Sequence, residues 1–230
     1  VEFDWKSIVL LFTGGMLVTG SANAINQVTE KDTDAVMKRT GNRPVAAGRM
    51  SVNEASTFAF AAAIIGSLIL GLWFNWYAAG LSLLSLFIYS FVYTPLKKIN
   101  SIAVLIGGIP GAFPCLIGWA AAYDGETFSW AGGWILFALQ FIWQFPHFWA
   151  IAWVAHTDYS KAGFKLLPSQ TGPTKFTALQ TIIWSLLMIP VGMLPYFTNM
   201  SGITSFWILL AANAVMVLQC VRLYIHMDVK

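Results

Sequence analysis

The sequence predicts an all-α protein, a polytopic transmembrane helix bundle, on three observations. Hydrophobic residues make up 57% of the 230 and charged residues only 10%, against about 25% charged in an ordinary soluble domain. That is too little charge to cover a water-exposed globule of this size, which excludes a soluble enzyme and a nucleic-acid binder. The apolar residues gather into seven stretches, each near the roughly 20 residues a helix needs to cross a hydrocarbon core of about 30 Å. Twelve of the thirteen Lys and Arg residues fall in alternate connections between those stretches, a one-sided distribution that marks cytoplasmic loops.

The seven stretches cover approximately residues 7–25, 55–74, 76–94, 102–122, 130–155, 177–197 and 204–225. Each is apolar nearly all round, as lipid-exposed and bundle helices are, rather than along one stripe. Trp73, Trp76, Tyr77, Trp130 and Trp134 stand at span ends, where amphipathic rings favour the headgroup level. The connection after the first span carries Lys31, Lys38, Arg39, Arg43 and Arg49. The third span is followed by Lys97 and Lys98, the fifth by Lys161, Lys165 and Lys175, and the tail holds Arg222 and Lys230. Lys6 alone falls on the other side. The net charge of +3 is accounted for by membrane topology. Cys115 and Cys220 lie in apolar stretches and read as small buried hydrophobes, with no CxxC motif. The chain begins at Val1 without an initiating Met or a signal peptide, and is expected to be a fragment or processed product forming one domain over 1–230.

The acids also crowd the basic side, where they do not help insertion. At the end of the first span, Asn26, Glu30 and Asp34 recur at four-residue spacing. If the helix continues, each step turns about 400°, which leaves the three side chains within about 80° of one another over roughly 12 Å. One amide and two carboxylates on one face form a hard-oxygen surface of the kind Mg²⁺ takes together with water and phosphate oxygens. The same pattern also suits a solvated helix end with capping acids. Lys38, Arg39 and Arg43 follow in a turn-rich segment containing Gly41 and Pro44. Acids that hold a divalent cation beside a basic fork suit a diphosphate.

Further polar groups stand at the ends of later spans. Lys97 and Lys98 close the third span and read either as a second basic site or as a snorkelling pair. Gly107, Gly111, Pro110 and Pro114 predict close helix contact and a kink. In the fifth span Gln144 and His147 lie one turn apart among aromatics, forming a polar stripe that suits either packing or a large planar ligand. Asp158 lies eleven residues beyond His147, about three turns on and on roughly the same face. A constellation of this kind at a membrane mouth is a functional hypothesis by default.

Three segments carry a resemblance: Asn26 to Pro44, Tyr93 to Trp119 and Trp143 to Pro168. Together the sequence resembles the UbiA-type intramembrane prenyltransferases, and within them the branch that modifies haem. The resemblance implies about nine transmembrane helices around a central cavity, so the first and last helices are expected to be missing here. It implies transfer of a farnesyl group from farnesyl diphosphate to the vinyl group of haem B, giving haem O and diphosphate. Mg²⁺ is the implied cofactor, held by Asn26, Glu30, Asp34 and Asp158; Glu30 stands where the superfamily usually has Asp. Lys38, Arg39, Arg43, Lys97 and Lys161 match positions suited to diphosphate, and His147 with Gln144 match the haem side. The implied setting is a bacterial cytoplasmic (inner) membrane, with the mouth on the cytoplasmic side. Product hand-over to a haem A synthase or terminal oxidase assembly is a further implication. Prenylation of an aromatic or quinone-precursor acceptor is an alternative within enzymes. A transporter is the alternative outside them, but no charge lies at a span centre as one would need.

Overall fold

A computed structural model describes residues 4–123, 125, 129–169 and 171–228. In chain order it contains α1 (Trp5–Thr29), α2 (Lys31–Ala35), α3 (Val52–Trp73), α4 (Trp76–Phe87), a π-helical segment (Ile88–Tyr93), α5 (Thr94–Leu96), α6 (Ala103–Ala121), α7 (Ala131–Val154), α8 (His156–Lys161), α9 (Lys175–Phe197) and α10 (Ile203–His226). Among the described residues there is no strand. Among the described residues, seven helical runs are long and apolar enough to cross a membrane, namely α1, α3, the run from Trp76 to Leu96, α6, α7, α9 and α10. They coincide with the seven predicted stretches, with ends displaced by a few residues.

Starts and stops follow from local chemistry. Asp4 caps α1 by accepting from the N–H groups of Lys6 and Ser7, and Ser51 opens α3 in a capping box with Glu54. Asn75 caps α4 through the N–H of Ala78 and Thr174 caps α9 through that of Thr177. In each case a side-chain oxygen satisfies an N–H that the helix cannot.

The chain divides into two compact units. The first comprises Val1–Pro95 with Phe113–Phe128 and the second Leu96–Ala112 with Ser129–Lys230, so α6 contributes to both. Within the first, α1 and α3 pack where both are small. A Cβ on Gly66 would stand 2.8 Å from the carbonyl oxygen of Gly14 and 2.9 Å from side-chain carbons of Leu17 and Val18. Only glycine allows that approach, and such small-residue contacts hold helices together where lipid removes the hydrophobic drive. Asn75 also donates to the carbonyl of Ala120 (2.7 Å), tying α4 to the end of α6.

Within the second unit, Gly108 and Gly111 of α6 receive α7. A Cβ on Gly108 would meet Phe141 and Phe145 at 3.1 Å. Gln144 donates across to the carbonyl of Gly108 (3.1 Å) and along its own helix to that of Gln140 (2.8 Å). Phe145 packs against Trp184 of α9 with the rings tilted at 53° and their centroids 4.0 Å apart. Asn213 of α10 donates to the carbonyl of Met188 on α9 (3.0 Å), beside Gly192. The α-helix from Ala103 to Ala121 runs unbroken through Pro110 and Pro114, so the small residues here serve close packing. Large apolar side chains such as Phe60 (71% exposed) and Leu72 (73%) lie open on the spans, as suits a lipid-facing surface.

Candidate active site

Asn26, Glu30 and Asp34 share one buried face in the first unit. Helix α1 ends at Thr29 and Glu30 leaves helical geometry (φ −105°, ψ 16°). The bonding nevertheless passes through it: the N–H of Glu30 reaches the carbonyl of Asn26 (2.9 Å) and that of Asp34 the carbonyl of Glu30 (2.7 Å). The four-residue spacing therefore keeps its register, and the three residues are only 4%, 3% and 0% exposed. Buried carboxylates in a chain this poor in charge need partners or a cation.

Asp34 has one. Nη1 of Arg43 lies 2.8 and 3.1 Å from its two carboxylate oxygens, an ion pair whose arginine side chain is 32% exposed. The segment between them folds back on the carbonyl of Asp34, which accepts from the N–H of Met37 and the hydroxyl of Thr40. Buried Met37 and Val45 anchor the loop. Lys38 and Arg39 lie exposed on it.

The π-helical segment of the third span faces the same residues. Tyr89 is half-buried where the charges of Glu30, Asp34, Arg39 and Arg43 reach its hydroxyl. The Thr94 hydroxyl is 3.0 Å from Oδ1 of Asn26 and 2.9 Å from the carbonyl of Tyr89. Sequence reasoning missed Tyr89, Thr94 and Thr40. The only signal was Tyr93-Thr94-Pro95 ahead of the lysines, and nothing in apolar periodicity reveals a π turn.

The second unit holds the other candidates. Lys97 is 6% exposed, with its ammonium 5.2 Å from the Phe164 ring centroid. Its carbonyl accepts from the N–H of Lys165 (2.7 Å). Asp158 is half-buried in the first turn of α8 and Lys161 is exposed at its end. A cavity of about 210 Å³ nearby is lined by His156, Tyr159 and Ser160 but not by Asp158 or Lys161. Gln144 and His147 do not share a surface. Gln144 is 2% exposed with both amide protons engaged, while His147 is exposed beside Trp143, with ring centroids 4.8 Å apart. Among the described residues no three His, Cys, Asp or Glu side chains converge on a metal position. A cation on the acid face would therefore complete its shell with water and ligand oxygens, as Mg²⁺ does, and the amide plus two carboxylates fit that hard ion.

Known proteins are similar to this chain. The model of the UbiA prenyltransferase family matches residues 1–230. Proteins named protoheme IX farnesyltransferase are similar: that of Cytophaga hutchinsonii is 48% identical over the whole chain. Those of Flavobacterium johnsoniae and Flavobacterium psychrophilum are 45% and 44% identical over 84% and 85% of it. The chain spans 79% of the first relative's length and 63% and 65% of the other two. A solved structure from work on digeranylgeranylglyceryl phosphate synthase in membranes superimposes with a TM-score of 0.78 at 20% identity, over 99% of this chain and 78% of that one. The fold is thus the one that structure has, and the chain is an integral membrane protein belonging to the UbiA prenyltransferase family.

Proposed function

We propose that this protein transfers a farnesyl group from farnesyl diphosphate to the vinyl group of haem B, giving haem O and diphosphate at the cytoplasmic face of a bacterial inner membrane. The observation that carries the reading is the buried Asn26, Glu30 and Asp34 face with Arg43 across it. The choice of haem rests on the names of relatives 44–48% identical, and the orientation on the one-sided lysines and arginines.

Asn26, Glu30 and Asp34 of the first unit would hold Mg²⁺, which supplies electrostatic stabilisation of phosphate oxygens. Arg43, with Lys38 and Arg39, binds the diphosphate and offsets the negative charge that grows on it as the bond to farnesyl C1 breaks. The apolar, aromatic helices keep water from the allylic cation. The vinyl π electrons then form the new bond to C1. Water adds to the carbon beside the porphyrin and loses a proton to solvent, leaving a hydroxyethylfarnesyl side chain. His147, exposed beside Trp143, presents its imidazole to the haem, while Gln144 holds its helix in place behind it. The product suits hand-over to a haem A synthase or terminal oxidase assembly.

The test supplies membranes containing the protein with haem B and farnesyl diphosphate, with and without Mg²⁺, and weighs the extracted haems. A Mg²⁺-dependent gain of one farnesyl group plus water is expected. Unchanged haem with intact, inserted protein would remove the assignment.

A further inference from the structure

We propose that Thr94 is a positioning residue for Asn26, delivered to it by the π-helical turn of the third span. The inference rests on the placement of Asn26 at the diphosphate side of the site. An α-helix bonds each N–H to the carbonyl four residues back, whereas a π turn reaches five back and so contains one extra residue. The N–H of Thr94 goes to the carbonyl of Tyr89, five residues earlier. One extra residue turns everything after it by about 100° relative to an uninterrupted α-helix. In the α register the Thr94 side chain would point away from α1.

In the π register its hydroxyl donates to Oδ1 of Asn26 at 3.0 Å, sharing its proton with the Tyr89 carbonyl at 2.9 Å. Thr94 and Asn26 are 2% and 4% exposed, so water does not take over that role. The two ends of a carboxamide differ in kind, one an acceptor and one a donor pair. A fixed donor at Oδ1 prevents the amide from turning over and presenting N–H groups where oxygen is required. The same turn brings the hydroxyl of half-buried Tyr89 into the field of Glu30, Asp34, Arg39 and Arg43. A π segment has poorer hydrogen-bond geometry than an α-helix and is typically found at functional positions. Here its product is the Thr94 hydroxyl held against Asn26 at one end of the acid face.

The test compares Thr94→Val, which keeps the shape and removes the hydroxyl, with Thr94→Ser, Asn26→Ala and the Val/Ala double variant. Each is read by farnesyl transfer in membranes and by thermal protection of the solubilised protein with farnesyl thiodiphosphate, which binds without transferring. Loss of one buried hydrogen bond is expected to lower kcat/KM for farnesyl diphosphate about 5- to 10-fold in Thr94→Val. KM for haem should stay put, and Thr94→Ser should recover most of the loss. On the Asn26→Ala background the Val change should weaken thiodiphosphate protection by less than about twofold, since sites in one network are not additive. A wild-type-like Thr94→Val, an undiminished further loss on Asn26→Ala, or a serine variant as poor as valine would overturn the proposal. If Thr94→Val does not reach the membrane, Thr94→Ala replaces it under the same criteria. If the wild type binds the thiodiphosphate but modifies no haem, the haem reading falls while the protection series still decides Thr94. A wild type that gains no protection overturns both.

Discussion

Replacing Gly111 by Ala tests whether Gln144 clamps α7 to α6. A methyl group there would collide with Oε1 of Gln144 and stand 2.9 Å from its Cδ, well inside contact distance. The carboxamide must move, and with it go the bonds to Gly108 (3.1 Å) and Gln140 (2.8 Å) at a position 2% exposed. Two net hydrogen bonds are worth about 1–3 kcal/mol together, and forcing the side chain off its rotamer adds roughly 0.5–1.5 kcal/mol. Alanine returns about 1 kcal/mol of helix propensity, so the expected net loss is about 0.5–3.5 kcal/mol. Gln144→Ala alone is also destabilising, but in the Gly111→Ala background it removes the collision. The double variant should then be less destabilised than the sum of the singles by about 1–2 kcal/mol. Unfolding of the purified protein in mixed micelles measures all four species. A Gly111→Ala protein as stable as wild type, or strictly additive losses, would refute the clamp.

The other expectations concern the first unit and the haem side. If Asp34 serves the proposed metal site, Asp34→Asn should lower turnover about 10- to 100-fold, with membrane insertion unchanged on carbonate extraction. Gly66→Val places carbon against the Gly14 carbonyl and Val18 and should cost about 1–3 kcal/mol by overpacking, whereas Gly80→Val, with nothing within 4 Å, should be neutral in the same unfolding assay. His147→Ala should raise KM for haem and leave KM for farnesyl diphosphate unchanged, which steady-state kinetics with each substrate varied will show.

The spans were legible because the bilayer demands about 20 apolar residues per crossing, a constraint that composition alone satisfies or violates. The acid face was legible because a four-residue spacing survives any helix that keeps its bonding, and the bonding does pass through Glu30. Gln144 was harder. One turn from His147 on paper, it is drawn into the groove that Gly108 and Gly111 leave open on another helix, and only the partner helix reveals that groove. The π turn left no mark in the sequence, since inserting one residue into an all-apolar helix changes no hydropathy pattern. Thr94 and Tyr89 depend on that turn, and were invisible for the same reason. The ion pair between Asp34 and Arg43, nine residues apart, follows from a loop fold that turn residues announce but do not specify.

The most direct measurement weighs the extracted haem and counts diphosphate released in the same membranes, for wild type and Asp34→Ala. The account expects one diphosphate for each haem that gains a farnesyl group and water, with both signals lost together in Asp34→Ala. Diphosphate release with haem unchanged, or haem modification undiminished in Asp34→Ala, would contradict it.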